Sequence, residues 1–181
     1  MSYETAYHES MWDDLRTPAT GINLVGPSSP ASMDETECAL SFANNADNVV
    51  ALIIHTPHGL DRSKPIKPHI HCYARVNPVT AKTVNWRLEY KVYQHNQVVP
   101  ANWTTVNVVQ TLTADDYNQS AVVSFGSIDL SGLTSLAGFV KAKISRIVAG
   151  QTYTSPVFVD EIDFHYASNI EGSFGEWSND V

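Results

Sequence analysis

A two-residue alternation of apolar and polar side chains constrains the fold of this chain more than any other feature. Over residues 84–93 every second side chain is apolar; these are Val84, Trp86, Leu88, Tyr90 and Val92. Such a period is that of a β-strand with one face buried. Similar runs, separated by Gly, Pro, Asn and Asp, occur at 37–43, 49–55, 69–76, 103–112, 120–125, 138–148 and 156–166. The pattern predicts about eight or more strands.

The arrangement of these runs also predicts the fold class. Short strands in one domain-sized chain of 181 residues favour an antiparallel β-sandwich or jelly roll. Inside the β region only 113–120 (TADDYNQS), with Thr113 as N-cap, indicates a helical turn. No long helical pattern alternates with the strands, which argues against a parallel α/β fold.

The two ends of the chain differ from its middle. Five residues that interrupt regular structure predict an N-terminal arm at 1–35: Pro18, Gly21, Gly26, Pro27 and Pro30. We therefore expect a β-sandwich domain at 36–166 and a C-terminal tail at 167–181.

The aromatic residues of the ends leave several alternatives open. Tyr3, Tyr7, Met11 and Leu15 recur every four residues, as on one face of a short helix, although a frayed terminus gives an alternative reading. Trp12, Phe174 and Trp177 can dock on another subunit, fold back on their own domain, or stay disordered.

Composition and charge exclude several classes of function. Acidic residues outnumber basic ones 19 to 11, for a net charge of −8, so we expect no direct binding of nucleic acid or of an anionic membrane. Only 17% of residues are charged, against about 25% in an average protein.

With no signal-peptide pattern, we expect a soluble protein made in the cytoplasm. Cys38 and Cys72 are expected to be buried thiols.

A histidine cluster offers the strongest chemical signal. His69 and His71 lie two residues apart, so they share one face of a strand, and Asp163 and His165 share a face in the same way. Two such histidines can ligate a metal, yet the Glu and the later His of a cupin motif are missing. We therefore expect these histidines to bond to acids of a neighbouring strand or to another subunit, and we assign no metal or other cofactor.

The acid-rich segment after residue 159 has a weaker signal. Glu161 and Asp163 could act as the carboxyl pair of a glycosidase, but a solvated sheet face or ion pairs with Lys141 and Lys143 explain them better. No nucleophile elbow or phosphate-binding glycine loop occurs. The chain is not expected to be an enzyme.

Five motifs occur in order along the chain. They are DDLRTPATGINLVGPSSPA at 13–31, ALIIHTPHGL at 51–60, IKPHIHCYARV at 66–76, VNWRLEY at 84–90 and EIDFHYASNIEGSFGE at 161–176. Together they resemble structural proteins of tailed bacteriophages. The chain departs from the pattern of these phage proteins at two places. Cys72 occupies a position where the pattern has an aromatic residue. Asn169-Ile170-Glu171 occupies the positions before Gly-Ser where the pattern usually has Asp-Thr.

This resemblance implies a capsid decoration, or cement, protein on the virion surface. Such a protein is assembled in the host cytoplasm as a homotrimer and binds the major capsid protein. The residues expected at the subunit or capsid interface are Met11, Trp12, Leu15, His69, His71, His165, Phe174 and Trp177. The alternatives are a head fibre, a tail-spike or a receptor- or glycan-binding virion module, followed by a cupin-like metalloenzyme.

Overall fold

The computed structural model describes residues 11–18, 22, 31–134 and 138–168. In this part of the chain there are ten strands and one short 3-10 turn at Ala114–Asp116. The strands are β1 (Met11–Pro18), β2 (Ser32–Asp34), β3 (Ala39–Phe42), β4 (Asn48–His55), β5 (Lys67–Ala74), β6 (Lys82–Gln94), β7 (Thr104–Leu112), β8 (Ala121–Ser124), β9 (Gly138–Ile147) and β10 (Val157–Ser168).

The strands form two antiparallel sheets that enclose one core. Sheet A has the order β2-β3-β10-β5-β8, with β1 also paired to β10, and sheet B has the order β4-β9-β6-β7. The inward side chains of both sheets belong to a single hydrophobic cluster. Near its centre the ring of Phe42 from sheet A meets Trp86 from sheet B edge to face, with centroids 5.3 Å apart. The predicted antiparallel β-sandwich is confirmed.

Each of the eight predicted runs overlaps an observed strand, and the predicted turn is also present. The N–H and the hydroxyl of Thr113 both donate to the carboxylate of Asp116, which closes the 3-10 turn. Two strands, β1 and β2, come from the segment predicted to be an arm. The helical alternative is wrong for Met11 and Leu15, because both lie in β1; Tyr3 and Tyr7 lie outside the described residues.

A β-bulge in β10 decides which side chains of sheet A face outward. Val159 pairs with Cys72 of β5, but the next paired residue of β10 is Glu161, so Asp160 is the extra residue. Such an insertion shifts the alternation of the strand by one residue. As a result Val157 and Val159 face the core before the bulge, whereas even-numbered residues do so after it.

The bulge also marks a change of strand partner. Val157–Val159 pair with β3, and residues 161–168 pair with β1, while β5 runs along the opposite edge of β10. The segment β1 thus extends the edge that β3 begins. It is fixed there by Leu15, which packs against the core, and by Tyr166, whose hydroxyl donates to Asp13 at 3.1 Å.

A fully buried arginine joins the sheets at one end of the core. The guanidinium of Arg146 donates to three backbone carbonyls, those of Phe42, Tyr153 and Ser155, each at 2.8 Å. Its Nε donates to Gln151 at 2.9 Å. Burial lowers the pKa of Arg146 to about 10. This residue replaces the solvent that would otherwise satisfy those carbonyls.

The two cysteines differ in environment. Cys72 is buried as predicted, and burial raises the pKa of its thiol to about 12. For Cys38 the prediction is wrong: the residue is exposed in a turn with a φ of 52°.

Among the described residues, no helix has the length and apolar character that crossing a membrane requires.

Candidate functional site: the outer face of sheet A

The outward side chains of β1, β10, β5 and β8 form an open groove of about 460 Å³. Strand register explains why they meet: Arg16 lies opposite Asp163, Asp163 opposite His69, and His69 opposite Ser124. Residues opposite each other point to the same face. We call this feature the sheet A groove; its lining residues are Asp14, Arg16, Lys67, His69, His71, Val122, Ser124, Glu161, Asp163 and His165.

Three side chains converge on one point of the groove floor. The Nε2 atoms of His69 and His71 lie 3.1 Å apart, and Oδ2 of Asp163 lies 3.4 Å from the first and 3.2 Å from the second. The side chains of His69 and Asp163 are 7% and 3% exposed, whereas that of His71 is 32% exposed. We refer to these three residues as the His-His-Asp cluster.

Burial shapes the charges of this cluster. It is the main reason that the pKa of Asp163 is raised, and the neighbouring Glu161 raises it further. Burial also lowers the pKa of His69. Both shifts oppose the charged forms, so the floor of the groove is a place where ions are poorly solvated.

A second pair of groups lies beside the cluster. Nε2 of His165 is 2.7 Å from Asp14, whose other carboxylate oxygen accepts a hydrogen bond from Arg16 at 3.0 Å. The rings of His165 and His69 are in contact, with centroids 4.2 Å apart. The side chain of His165 is 42% exposed, so this pair forms a wall of the groove open to solvent.

A half-exposed tryptophan lies on β1, the strand that carries Asp14. Trp12 is 49% exposed, and Nζ of Lys67 lies 4.2 Å from the centre of its ring. This contact fixes the ring with a cation–π interaction. Trp12 therefore offers an aromatic surface beside the polar lining of the groove.

Some of the contacts predicted from the sequence are present in the structure, and others are not. Asp163, an acid of the neighbouring strand, lies within ion-pair distance of both His69 and His71. Lys141 and Lys143 make no ion pairs with the acids of β10, because both lie on sheet B. His55 also lies on sheet B, with its ring 4.2 Å from that of Phe139.

Other expected site residues lie outside this groove or outside the part of the chain that the structure describes. Leu15 packs against the core of its own domain. Phe174 and Trp177, together with the side chain of Met11, lie outside the described residues. The contributions of Asp14, Arg16, Lys67 and Ser124 were missed, because they depend on β1 and on a strand register that the sequence does not display.

The outer face of sheet B carries a second, less polar groove of about 420 Å³. Its lining includes Ile53, which is 61% exposed, and Trp103. Nζ of Lys143 and Nζ of Lys91 lie 4.1 and 4.8 Å from the centre of the Trp103 ring. This face presents apolar side chains next to lysines.

Comparison with known proteins gives distant structural likenesses only. No protein-family model and no curated protein matches the chain. Its structure is similar to the insecticidal delta-endotoxin Cry8Ea1 of Bacillus thuringiensis (15% identity, TM-score 0.42), covering 85% of this chain and 24% of the endotoxin. The chain thus spans about a quarter of that protein.

Two smaller proteins are similar over most of their length. A xylan-binding domain of carbohydrate-binding family 22 has 13% identity and a TM-score of 0.38, with 92% of each chain covered. A family 11 carbohydrate-binding module from Clostridium thermocellum has 13% identity and a TM-score of 0.37, covering 87% of this chain and 90% of the module. Likenesses at this level do not bear on function.

Proposed function

We propose that this chain is a non-catalytic virion module of a tailed bacteriophage that binds a surface saccharide of the host in the sheet A groove. The observation that carries the proposal is the groove itself: an open surface with hydrogen-bonding side chains of both charges and the aromatic ring of Trp12 nearby. Saccharides present hydroxyl groups to polar partners and apolar ring faces to aromatic ones. Pockets that combine the two are typical of ligand sites.

The arrangement of acids favours binding over hydrolysis. Glu161 and Asp163 lie two residues apart on one strand and point in the same direction. The two carboxyls of a glycosidase instead flank the scissile bond. Asp163 is moreover engaged with His69 and His71 on the groove floor. Ligand retention is therefore the function that this geometry supports.

The virion setting rests on the resemblance of the sequence motifs to tailed-phage structural proteins. Two of those motifs, at 66–76 and 161–176, contain β5 and most of β10, which form the floor of the groove. The motifs that resemble phage proteins and the strands that form the groove floor thus lie in the same segments of the chain.

Binding of host polysaccharide by matched tryptophan variants tests the proposal. We expect the purified protein to bind surface polysaccharide from a susceptible host, and Trp12→Ala to weaken the affinity about fivefold or more, since an aromatic contact contributes about 1 kcal/mol or more. Trp103→Ala, on the other sheet, is the control and should bind as the wild type does. Absence of binding across polysaccharides of several hosts, or a loss confined to Trp103→Ala, would refute the proposal.

Capsid decoration is the second candidate, and the outer face of sheet B favours it. Exposed Ile53 beside Trp103 and the lysines gives an apolar, locally basic surface on a protein of net charge −8. Such a surface suits docking on another protein. On this candidate, a homotrimer binds the major capsid protein and Ile53→Asp abolishes sedimentation with phage heads, while Val79→Asp, at an exposed residue elsewhere, does not. Monomers that fail to sediment with heads would exclude it.

A further inference from the structure

We propose that the His-His-Asp cluster is a zinc site, with His69 Nε2, His71 Nε2 and Asp163 Oδ2 as its three protein ligands. The site does not depend on saccharide binding. Zinc sites with three protein ligands keep an open position for water or another ligand, and here that position faces the sheet A groove.

The fold brings the three ligands to one face by two separate features. His69 and His71 are alternate residues of β5, and Asp163 lies opposite His69 in the register of β5 and β10. Because Asp160 forms a bulge, Asp163 faces outward, whereas the core takes the residues on either side of it. Ligands from two paired strands form a rigid site, which favours metal binding.

The distances within the cluster fit a tetrahedral ion. Ligand atoms about 2.0–2.1 Å from a zinc ion lie about 3.3 Å from each other in a tetrahedral arrangement. The three separations here are 3.1, 3.2 and 3.4 Å. A point about 2.0–2.1 Å from all three donor atoms therefore exists, as zinc coordination requires.

Hydrogen bonding among the protein atoms leaves the cluster incompletely satisfied. Oδ1 of Asp163 is buried and has no hydrogen-bond partner among the described residues. Arg16 lies opposite Asp163, but its guanidinium pairs with Asp14 instead. Oδ2, the proposed ligand atom, has the two imidazoles within 3.4 Å, and a cation bound there would offset the charge of this buried carboxylate.

The donor set selects the kind of ion. Two imidazoles and one carboxylate suit zinc and other late transition ions, whereas Mg²⁺ and Ca²⁺ prefer oxygen ligands alone. Nδ1 of His69 lies 3.5 Å from the carbonyl oxygen of Lys67. A carbonyl on the second ring nitrogen favours the tautomer whose Nε2 is free to bind a metal.

Zinc titration of chelator-treated full-length protein tests the site without any saccharide present. We expect native mass spectrometry to show one zinc ion per chain and Co²⁺ to give the visible absorption of a tetrahedral complex. His71→Ala, at a partly exposed position, should lower zinc affinity at least about tenfold while the far-ultraviolet circular dichroism stays unchanged. His55→Ala, on sheet B, is the control and should bind zinc as the wild type does.

Two results would overturn the inference. One is a wild-type protein that retains no zinc at micromolar concentration and gives no Co²⁺ spectrum. The other is a folded His71→Ala variant whose zinc affinity equals that of the wild type. Saccharide binding by zinc-free protein would leave the proposed function standing if the zinc site failed, so the two failures can be told apart.

Discussion

Deletion of Asp160 should show how strongly the bulge in β10 determines both the core and the groove. Val157 and Val159 face the core before the bulge, and Ile162 and Phe164 face it afterwards. Without the extra residue a strand keeps one alternation along its whole length. The two halves of β10 can then no longer both turn their apolar side chains inward.

The size of the effect follows from the side chains that must turn outward. The least costly rearrangement exposes Val157 and Val159, and burial of each valine contributes about 1.5–3 kcal/mol. We therefore expect the deletion to lower the free energy of unfolding by at least about 3 kcal/mol, a large share of the roughly 5–15 kcal/mol of a typical domain. Asp160→Ala keeps the residue count and should change it by less than about 1 kcal/mol.

Urea unfolding, followed by tryptophan fluorescence, measures the difference between the two variants. Among the four tryptophans, Trp86 lies in the shared core, so the change in emission when it becomes exposed reports loss of the sandwich. A deletion variant within about 1 kcal/mol of the wild type would refute the idea that the bulge fixes which face of β10 is buried.

Three further outcomes follow from single residues. Arg146→Met should lower the free energy of unfolding in urea by about 3–5 kcal/mol, because it leaves buried carbonyls without donors; a loss below about 1 kcal/mol would contradict this role. The pKa of Glu37 lies below its ordinary value of 4.5 because Arg75 and Tyr73 each donate a hydrogen bond to its carboxylate, so the wild type should be more stable than Glu37→Gln at pH 7. That advantage should vanish as the pH falls below 4.5 through the lowered pKa of the folded state, and an advantage independent of pH would count against the pairing. Ellman's reagent should modify Cys38 quickly and Cys72 only after unfolding; rapid reaction of two thiols per chain would show that Cys72 is accessible.

The strands of this protein could be predicted where apolar residues alternate cleanly, as they do in β6. The strand β1 could not, because Met11 and Leu15 are four residues apart and mimic a helical face, while the pairing that stabilises β1 is made with β10, about 150 residues later. Its edge position depends on long-range contacts that local patterns do not encode.

The site could be predicted only in part, for the same reason. The two-residue spacing identified His69 with His71, and Asp163 with His165, as two same-face pairs. That β5 and β10 are neighbours, with Asp163 directly opposite His69, is a matter of topology. The change from odd to even apolar positions between Val159 and Ile162 is visible in the sequence and could have revealed the bulge.

Histidine footprinting in the presence of host polysaccharide tests most directly whether the sheet A groove is the binding surface. Diethyl pyrocarbonate modifies accessible imidazoles, and mass spectrometry locates each modified residue. In chelator-treated protein, where no metal shields His71, we expect the polysaccharide to protect His71 and His165 in the groove, while His55 on sheet B stays as reactive as before. Protection of His55 with unchanged reactivity at His71 and His165 would place the ligand on the other sheet and contradict the proposed function.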